Sequence, residues 1–280
     1  MSVAAPGISV LILTRDEEVN IGACLASVSW SDDVVVLDSH SVDRTVAVAT
    51  DCGARIYERE FDNYAGQRNF GLNDIAYKHG WVLMLDADER VPPELREEML
   101  RTVAAAPDDV ALFMMRRRDH LFGRWLARSS GYPTWFGRLA RVGKVRVERA
   151  INEEYHASGL TRRLDAHLDH YPFNNGFAAW IAKHNRYSTM EAQLMMERAG
   201  PGPLRGLFAS DPVVRRKNIK EFVYALPGRP LLMFVALYLF KGGFLDGRAG
   251  LTYSMLRAWY EYMIDCKYRE LQRRRAGVAV

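Results

Sequence analysis

Cysteine is scarce in this chain, which has three such residues, Cys24, Cys52 and Cys266, among 280. Their odd number and wide spacing do not fit a secreted disulfide framework or a zinc site. The first residues, MSVAAPGISVLIL, lack a basic segment ahead of the apolar run, so we predict no signal peptide. Both features favour a protein that stays in the reducing cytoplasm.

Long apolar runs are also lacking. The stretch LLMFVALYLF, residues 231–240, is well short of the ~20 residues that a bilayer-spanning helix needs. We therefore predict either a buried helix or one that lies in the membrane interface. Aromatic side chains and the basic flanks Arg229 and Lys241 favour contact with the cytoplasmic face of the membrane. A homo-oligomer interface would use the same surface.

Charge of one sign is not in large excess, because the formal net charge is +4. Basic residues cluster in RRKNIK (215–220) and KYRELQRRR (267–275). Neither cluster is accompanied by a base-stacking or DNA-binding motif, so we predict that nucleic acid is not a partner. An anionic membrane surface or a solvated helix face explains them better.

The first hundred residues alternate between apolar strands and amphipathic helices. Strands are predicted at 8–13, 33–38, 54–59 and 81–86, and helices at 17–28, 43–51 and 64–78. Continuous apolar strands separated by helices indicate an α/β fold, with a mainly parallel sheet covered on both faces. Ligands of such sheets bind beyond the carboxyl ends of the strands.

Polar segments follow three of these strands, namely TRDEE (14–18), DSHSVDRT (38–45) and DADE (86–89). The shared strand ends predict one site for sugar, base or metal. Two alternatives need no ligand: Thr14 and Glu17 have the spacing of a helix capping box, and Asp38 and Ser39 have the side chains of a turn.

Two carboxylates, Asp86 and Asp88, stand one residue apart at the end of the fourth strand. Side chains alternate along a strand, so the two carboxylates point the same way and must either repel each other or hold a cation.

The sequence after this strand predicts strands and a hairpin over residues 110–150 and a long helix over residues 175–198. Arginines at 116–118, 124, 128, 138 and 141 either meet an anionic acceptor or form a solvated rim.

The chain resembles family 2 glycosyltransferases, and among them the subgroup that adds glucose in lipopolysaccharide core synthesis. Five segments within residues 8–156 carry the resemblance: ISVLILTRDEEVNI, VVVLDSHSVDRT, YAGQRNFG, WVLMLDADE and INEEYH. The resemblance implies the Rossmann-like GT-A fold for residues 1–172. It also implies a helical C-terminal extension over 173–280 that associates with a membrane or forms oligomers.

The resemblance further implies a UDP-sugar donor and a glycan or lipid-linked acceptor. Thr14, Arg15 and Glu17 would line the nucleotide pocket together with Ser39, and Asp38 would accept a hydrogen bond from uracil. Our hypothesis is an inverting transferase that adds one sugar, with glucose as the expected sugar. The QxxRW motif of processive synthases is absent, because Leu121 stands where LFGRW would need glutamine.

The family's DxD motif matches Asp86 and Asp88, and implies that Asp88 binds Mg²⁺ or Mn²⁺ while Asp86 lies near ribose or metal. Arg68 would lie near the nucleotide or its phosphates, unless it belongs to an ordinary amphipathic helix. His156 or His170 is either an added metal ligand or a structural hydrogen-bonding group.

Inversion requires a base on the acceptor side, and Glu153 in INEEYH is the candidate, with Glu154 as its competitor. A salt bridge is the structural alternative for both glutamates. Two other functions remain open, a non-catalytic nucleotide-sugar-binding protein and a sugar nucleotidyltransferase. The latter would normally begin with a glycine-rich basic loop, which ILTRDEEVN lacks.

Overall fold

The computed structural model describes residues 7–148, 154–197 and 228–280. The chain forms two compact units, one of residues 1–120 and 132–175 and the other of residues 121–131 and 176–280. The second unit therefore contains a short excursion from the first half of the chain as well as the C-terminal helices.

The N-terminal half of the first unit alternates strands and helices in the predicted order. Its elements are β1 (Ser9–Thr14), α1 (Glu18–Ser27), β2 (Val34–Asp38), α2 (Thr45–Asp51), β3 (Arg55–Glu58), α3 (Tyr64–Asn73) and β4 (Trp81–Asp86). All neighbouring pairs of these strands are parallel, in the order β3-β2-β1-β4. The carboxyl ends of β1, β2 and β4 consequently lie side by side.

The rest of the first unit extends this sheet. The further elements are β5 (Glu89–Arg90), α4 (Pro93–Ala104), β6 (Val110–Leu121), β8 (Trp135–Arg141), β9 (Val145–Glu148), β10 (Glu154–Ala157) and β11 (Leu160–His170). The sheet continues from β4 through β8, β6 and β11 to β5, with β6 and β11 parallel and the other pairs antiparallel. Strands β9 and β10 form a separate antiparallel pair.

Two apolar layers cover the sheet, one on each face. On one face Val10, Ile12 and Leu83 pack with residues of α1 and α4, whereas Leu11 and Val82 belong to the layer that includes Leu72 of α3. Successive residues of one strand thus contribute to opposite layers. This arrangement confirms the prediction of a sheet buried on both faces.

Helix α3 ends five residues before its predicted end at residue 78. The helix ends at Asn73, and Ile75 just after it is buried. The Tyr77 hydroxyl donates a hydrogen bond of 2.6 Å to the Gly71 carbonyl. That hydrogen bond satisfies a carbonyl near the helix terminus, where intrahelical donors run out.

Among the residues that the structure describes, the second unit contains three helices and a short strand, β7 (Arg124–Trp125). Helix α5 spans Gly176–Glu197, and α6 (Arg229–Val235) continues as one π turn over Ala236–Phe240. A 3₁₀ turn, Gly243–Asp246, leads into α7 (Gly247–Arg275). In the described residues no single helix is long and apolar enough to cross a membrane. Helices 229–240 and 243–275 pass that test only as a pair bent by 71°.

Buried polar groups hold the second unit together. The Asp246 carboxylate accepts hydrogen bonds from the Ser129 amide and hydroxyl, both at 2.8 Å, and thereby attaches the excursion at 121–131. Arg229 at the start of α6 is 2% exposed and pairs with Glu261 of α7 at 2.9 Å. Arg229, predicted as a basic flank that favours membrane contact, is therefore buried in an ion pair instead.

Candidate functional site

The DADE segment forms a tight turn between β4 and β5. Its backbone is fixed on both sides, because the Asp86 amide donates to Glu89 Oε2 at 3.0 Å and the Asp88 carbonyl accepts from the Tyr171 amide at 2.9 Å. Glu89 is completely buried, whereas one third of the Asp86 side chain is exposed. The turn thus presents Asp86 and Asp88 at the end of the sheet while Glu89 points into the protein.

Asp86 is bound by two buried arginines. Arg68 of α3 donates to its Oδ1 at 2.8 Å, and Arg138 of β8 donates to its Oδ2 at 2.7 Å. Burial by itself would raise the pKa of Asp86, but the charges of Arg138, Arg68 and Arg117 keep that pKa well below its usual range. The carboxylate is therefore ionised and already neutralised by protein cations, which makes it a poorer cation ligand than Asp88.

Asp88 faces a histidine instead. His170 Nε2 lies 3.3 Å from Asp88 Oδ2, and the two side chains are 11% and 13% exposed. The other ring nitrogen of His170 lies 2.7 Å from Asp119 Oδ1. Burial and Arg117 lower the pKa of His170, but Asp88 and Asp119 outweigh them and raise it to about 9. Between two carboxylates, the ring is a cation at neutral pH in the absence of metal.

A second group of site residues follows β1 and β2. The parallel register pairs Thr14 with Asp38, and the Thr14 hydroxyl donates to Asp38 Oδ1 at 2.7 Å. Asp38 also accepts from the Ser41 hydroxyl at 2.6 Å and from the Ser41 amide at 2.7 Å. Next to it, the Ser39 hydroxyl accepts from Gln67 Nε2 at 2.8 Å. These bonds hold the Asp38 carboxylate rigidly at the end of β2.

The alternative of a capping box formed by Thr14 and Glu17 is not what the structure has. Glu17 makes no side-chain cap to α1, and the Thr14 hydroxyl binds Asp38. The amides of Glu17 and Glu18 are instead satisfied by Thr45 Oγ1 at 2.7 Å and by Asp43 Oδ2 at 3.0 Å. The helix is capped by the neighbouring loop because the two loops follow adjacent parallel strands.

The loop after β1 is also connected to the DADE turn. Glu17 Oε2 accepts from Asn20 at 2.8 Å and from Asn175 at 3.0 Å, and the Asn20 carbonyl accepts from Arg90 at 2.9 Å. Arg90 in turn donates to the Ala87 carbonyl at 2.7 Å. Arg15, between Thr14 and this network, is exposed.

The predicted acceptor-side residues are placed less completely. Glu153 lies outside the described residues. Glu154 begins β10 with an exposed side chain, and His156 on the same strand lies 3.5 Å from Glu148. Asn69 of α3, the neighbour of Arg68, exchanges two hydrogen bonds of 2.8 Å with the backbone of Val147 on β9. This amide attaches β9 to the helix that carries Arg68.

Two residues at the centre of the site carry no sequence signal of their role. Arg138, 1% exposed, was predicted to face an acceptor or a solvated rim, and it instead binds Asp86 and Glu89, each at 2.7 Å. Asp119 lies in a strand of mixed charge and contacts His170. Only the sheet order, which places β8 beside β4 and β11 beside β6, identifies these partners.

The donor set suits a hard divalent cation with few protein ligands. In the part of the chain that the structure describes, no three His, Cys, Asp or Glu side chains form a complete metal site. Asp88 and His170 nevertheless offer one oxygen and one nitrogen, both partly exposed and close together. Mg²⁺ keeps several waters and is commonly held by one or two carboxylates plus substrate phosphates, so two protein ligands are compatible with it.

Comparison with known proteins identifies the family. The family model described as glycosyl transferase family 2 matches residues 9–172. The lipopolysaccharide core biosynthesis glycosyltransferase LpsC of Rhizobium meliloti (strain 1021) is 27% identical over 271 residues, covering 93% of this chain and 91% of LpsC. The glycosyltransferase RT0209 of Rickettsia typhi (strain Wilmington) is 34% identical over 276 residues, 94% of this chain and 87% of RT0209.

Among solved structures, glucosyl-3-phosphoglycerate synthase from Mycobacterium tuberculosis, in complex with Mn²⁺, UDP and glucosyl-3-phosphoglycerate, is 23% identical. The match has a TM-score of 0.35 and covers 42% of this chain and 45% of that one. The family model alone spans more than half of the present chain. The chain belongs to glycosyl transferase family 2 and is a glycosyltransferase with the GT-A fold.

Proposed function

We propose that this glycosyltransferase transfers a single sugar, expected to be glucose, from a UDP-sugar to a lipopolysaccharide core or another lipid-linked glycan, with inversion. One observation carries the proposal: Asp88 and His170 converge at the same sheet edge at which Asp38 and Thr14 end β2 and β1. Asp88 after β4 and the polar loops after β1 and β2 thus follow neighbouring strands, and open α/β sheets bind their ligands at such carboxyl ends. The relative LpsC is named as a glycosyltransferase of lipopolysaccharide core biosynthesis, which supports this choice of acceptor.

The nucleotide is assigned to the loops after β1 and β2. Asp38 is fully buried and accepts three hydrogen bonds from protein groups, and an ionised carboxylate has about four acceptor positions. The fourth position is assigned to the uracil N–H, which requires the side chains that cover Asp38 to move. Thr14, Ser39 and Glu17 belong to the same loops. Arg15 is exposed and is assigned to contact with the ribose or the phosphates.

The divalent cation is assigned to Asp88 and His170. When bound, it would neutralise charge on the departing diphosphate and orient it. Asp86, with Arg68 on one oxygen and Arg138 on the other, is assigned to the ribose side. The two arginines fix the orientation of the Asp86 carboxylate and neutralise its charge, which reduces its repulsion of Asp88.

The acceptor hydroxyl requires a base opposite the leaving group, and we assign this role to Glu153, with Glu154 as the alternative. The two hydrogen bonds between Asn69 and Val147 support the assignment, because they attach β9, the strand that precedes these glutamates in the chain, to the helix that carries Arg68. Glu153→Gln should abolish transfer and leave UDP binding intact. If Glu154 is the base, Glu154→Gln should abolish transfer and Glu153→Gln should not.

Membrane contact is assigned to the apolar surface of residues 231–245. Leu231, Leu239, Phe240 and Phe244 are exposed by 67%, 54%, 86% and 50%. Lys241 lies among them with its charge exposed, as is typical of helices that lie in a membrane interface. A second copy of the chain is the competing occupant.

Vesicle sedimentation tests this surface. The wild type should sediment with phosphatidylglycerol-containing vesicles, and a Phe240→Ser/Phe244→Ser variant should remain in solution. Val42→Ser, which removes an apolar side chain that is 93% exposed elsewhere, is the matched control. If the wild type does not sediment with the vesicles but forms a dimer that the double substitution disrupts, the surface is an oligomer interface.

Donor hydrolysis tests the proposed activity. The wild type is incubated with a panel of UDP- and GDP-sugars and Mn²⁺ or Mg²⁺, with a lipid extract as acceptor, and nucleoside diphosphate release is measured. Release from UDP-glucose that is lost in Asp88→Asn and kept in Asp165→Asn, an exposed carboxylate on β11, is the expected result. Release from a GDP-sugar alone, or equal release by Asp88→Asn, would contradict the proposal.

A further inference from the structure

Asp119 is a nearly buried carboxylate to which the proposed reaction gives no role. It lies on β6 directly beside His170 of β11, because the parallel register makes their Cα atoms partners. Its Oδ1 lies 2.7 Å from His170 Nδ1 and 3.1 Å from Arg117 Nε. The side chain is 14% exposed, so these two contacts account for much of its environment.

His170 is itself fixed at the meeting point of two strands. On one side it is the register partner of Asp119, and on the other it pairs with Glu89 in the DADE turn. Its Nε2 lies 3.3 Å from Asp88 Oδ2. An imidazole binds a metal through one nitrogen, and the hydrogen bond made by the other nitrogen decides which one is available.

We propose that Asp119 is a positioning residue for the cation site: it accepts the Nδ1 proton of His170 and thereby directs Nε2 toward the cation held with Asp88. The inference rests on the proposed function, because it assumes a cation at Asp88. Carboxylates that bind the far nitrogen of a metal-binding histidine fix its ring and increase its basicity.

A purely structural role for Asp119 would be to neutralise Arg117. Arg117 has other partners, since Glu89 Oε1 lies 3.7 Å away and the Phe136 ring centroid lies 4.3 Å from its Cζ. A neutralising role therefore predicts a change in stability without a specific effect on the cation. A positioning role predicts weaker cation binding that depends on His170.

Asp169, the residue before His170, provides a matched control. Its Oδ1 accepts from Arg118 Nε at 2.6 Å and lies 3.2 Å from His120 Nε2. It is thus a carboxylate of similar burial, 16% exposed, paired with an arginine and a histidine. Because adjacent residues of a strand point to opposite faces, it is not directed toward Asp88.

Mn²⁺ binding to the full chain in the presence of saturating UDP tests the proposal, with the free Mn²⁺ signal measured by electron paramagnetic resonance. Asp119→Asn should weaken Mn²⁺ binding by about 10- to 100-fold, as is usual for loss of an outer partner of a metal ligand. Asp169→Asn should bind as the wild type. In a His170→Ala background, Asp119→Asn should cause no further loss, since the two residues act as a unit.

Wild-type affinity in Asp119→Asn, or a further loss in the His170→Ala background, would overturn the proposal. If Asp119→Asn does not fold, Asp119→Glu serves instead, because it keeps a charge near Arg117 but displaces the oxygen from His170; unchanged Mn²⁺ affinity in that variant would also overturn it. Unchanged affinity in Asp88→Asn would instead refute the cation site of the proposed function, which is a separate and recognisable outcome.

Discussion

Arg138→Met should be among the most destabilising single substitutions in the first unit. The Arg138 side chain is 2% exposed and holds two carboxylates, Asp86 and Glu89, each at 2.7 Å. Removing one partner of a buried ion pair typically costs about 3 to 5 kcal/mol, because the remaining charge is left buried without compensation. Arg68 still binds Asp86, so the loss falls mainly on Glu89, which is fully buried and keeps Arg117 at a longer distance of 3.7 Å.

Urea unfolding at pH 7.5 measures this loss. We expect a decrease of about 3 to 5 kcal/mol for Arg138→Met, against under about 1 kcal/mol for Arg96→Met, an exposed arginine on α4. Adding Glu89→Gln to Arg138→Met should restore part of the stability, because it removes the uncompensated charge. A loss of less than about 1 kcal/mol in Arg138→Met would refute the view that this buried cation neutralises the turn.

The pH dependence gives an independent check on the same variant. Without Arg138, burial raises the pKa of the carboxylates in the folded state above that in the unfolded chain, so folded Arg138→Met binds more protons and gains stability as the pH falls. In the wild type burial already raises the pKa of Glu89, but the charge of Arg138 opposes that rise, and the low pKa of Asp86 changes stability only at pH values below those of this comparison. The gap between the two proteins should therefore narrow from pH 8 to pH 5, and a constant gap would contradict this explanation.

Three other substitutions test separate parts of the structure. Asp38→Asn, which removes the charge that Thr14 and Ser41 bind, should weaken UDP binding by about tenfold or more in a calorimetric titration, the loss of one charged hydrogen bond. Asp246→Ala should lower the free energy of unfolding by about 2 to 4 kcal/mol in urea, because the Ser129 amide and hydroxyl lose their acceptor. Burial lowers the pKa of His184 from 6.5 to about 4. As the pH falls from 6.5 to 4, the free energy of unfolding should therefore decrease by about 1 to 2 kcal/mol more in the wild type than in His184→Phe, as measured by urea unfolding at each pH.

The order of elements could be predicted from sequence because each signal is local. Apolar runs such as WVLML and the helices between them indicate a parallel sheet without knowledge of any partner, and the structure has them in that order. The position of Asp88 just after the end of a strand follows from the same pattern. These features depend on periodicity within one element, which the sequence displays directly.

The partners of the site residues could not be predicted, because they depend on which strands are neighbours. Arg138 resembles a surface arginine in WFGRLAR, and its burial follows only from the antiparallel pairing of β8 with β4. Thr14 has the spacing of a cap, but its hydroxyl donates to Asp38 of the adjacent strand. In both cases a contact across the sheet replaced a local one.

Titration of UDP into the wild type and Asp88→Asn, each with Mn²⁺ or with EDTA, shows whether a cation at Asp88 takes part in donor binding. We expect Mn²⁺ to strengthen UDP binding to the wild type by about tenfold or more, and Asp88→Asn to bind UDP equally with and without metal. Metal-independent UDP binding by the wild type, or a full metal effect in Asp88→Asn, would contradict the assignment of the cation to Asp88.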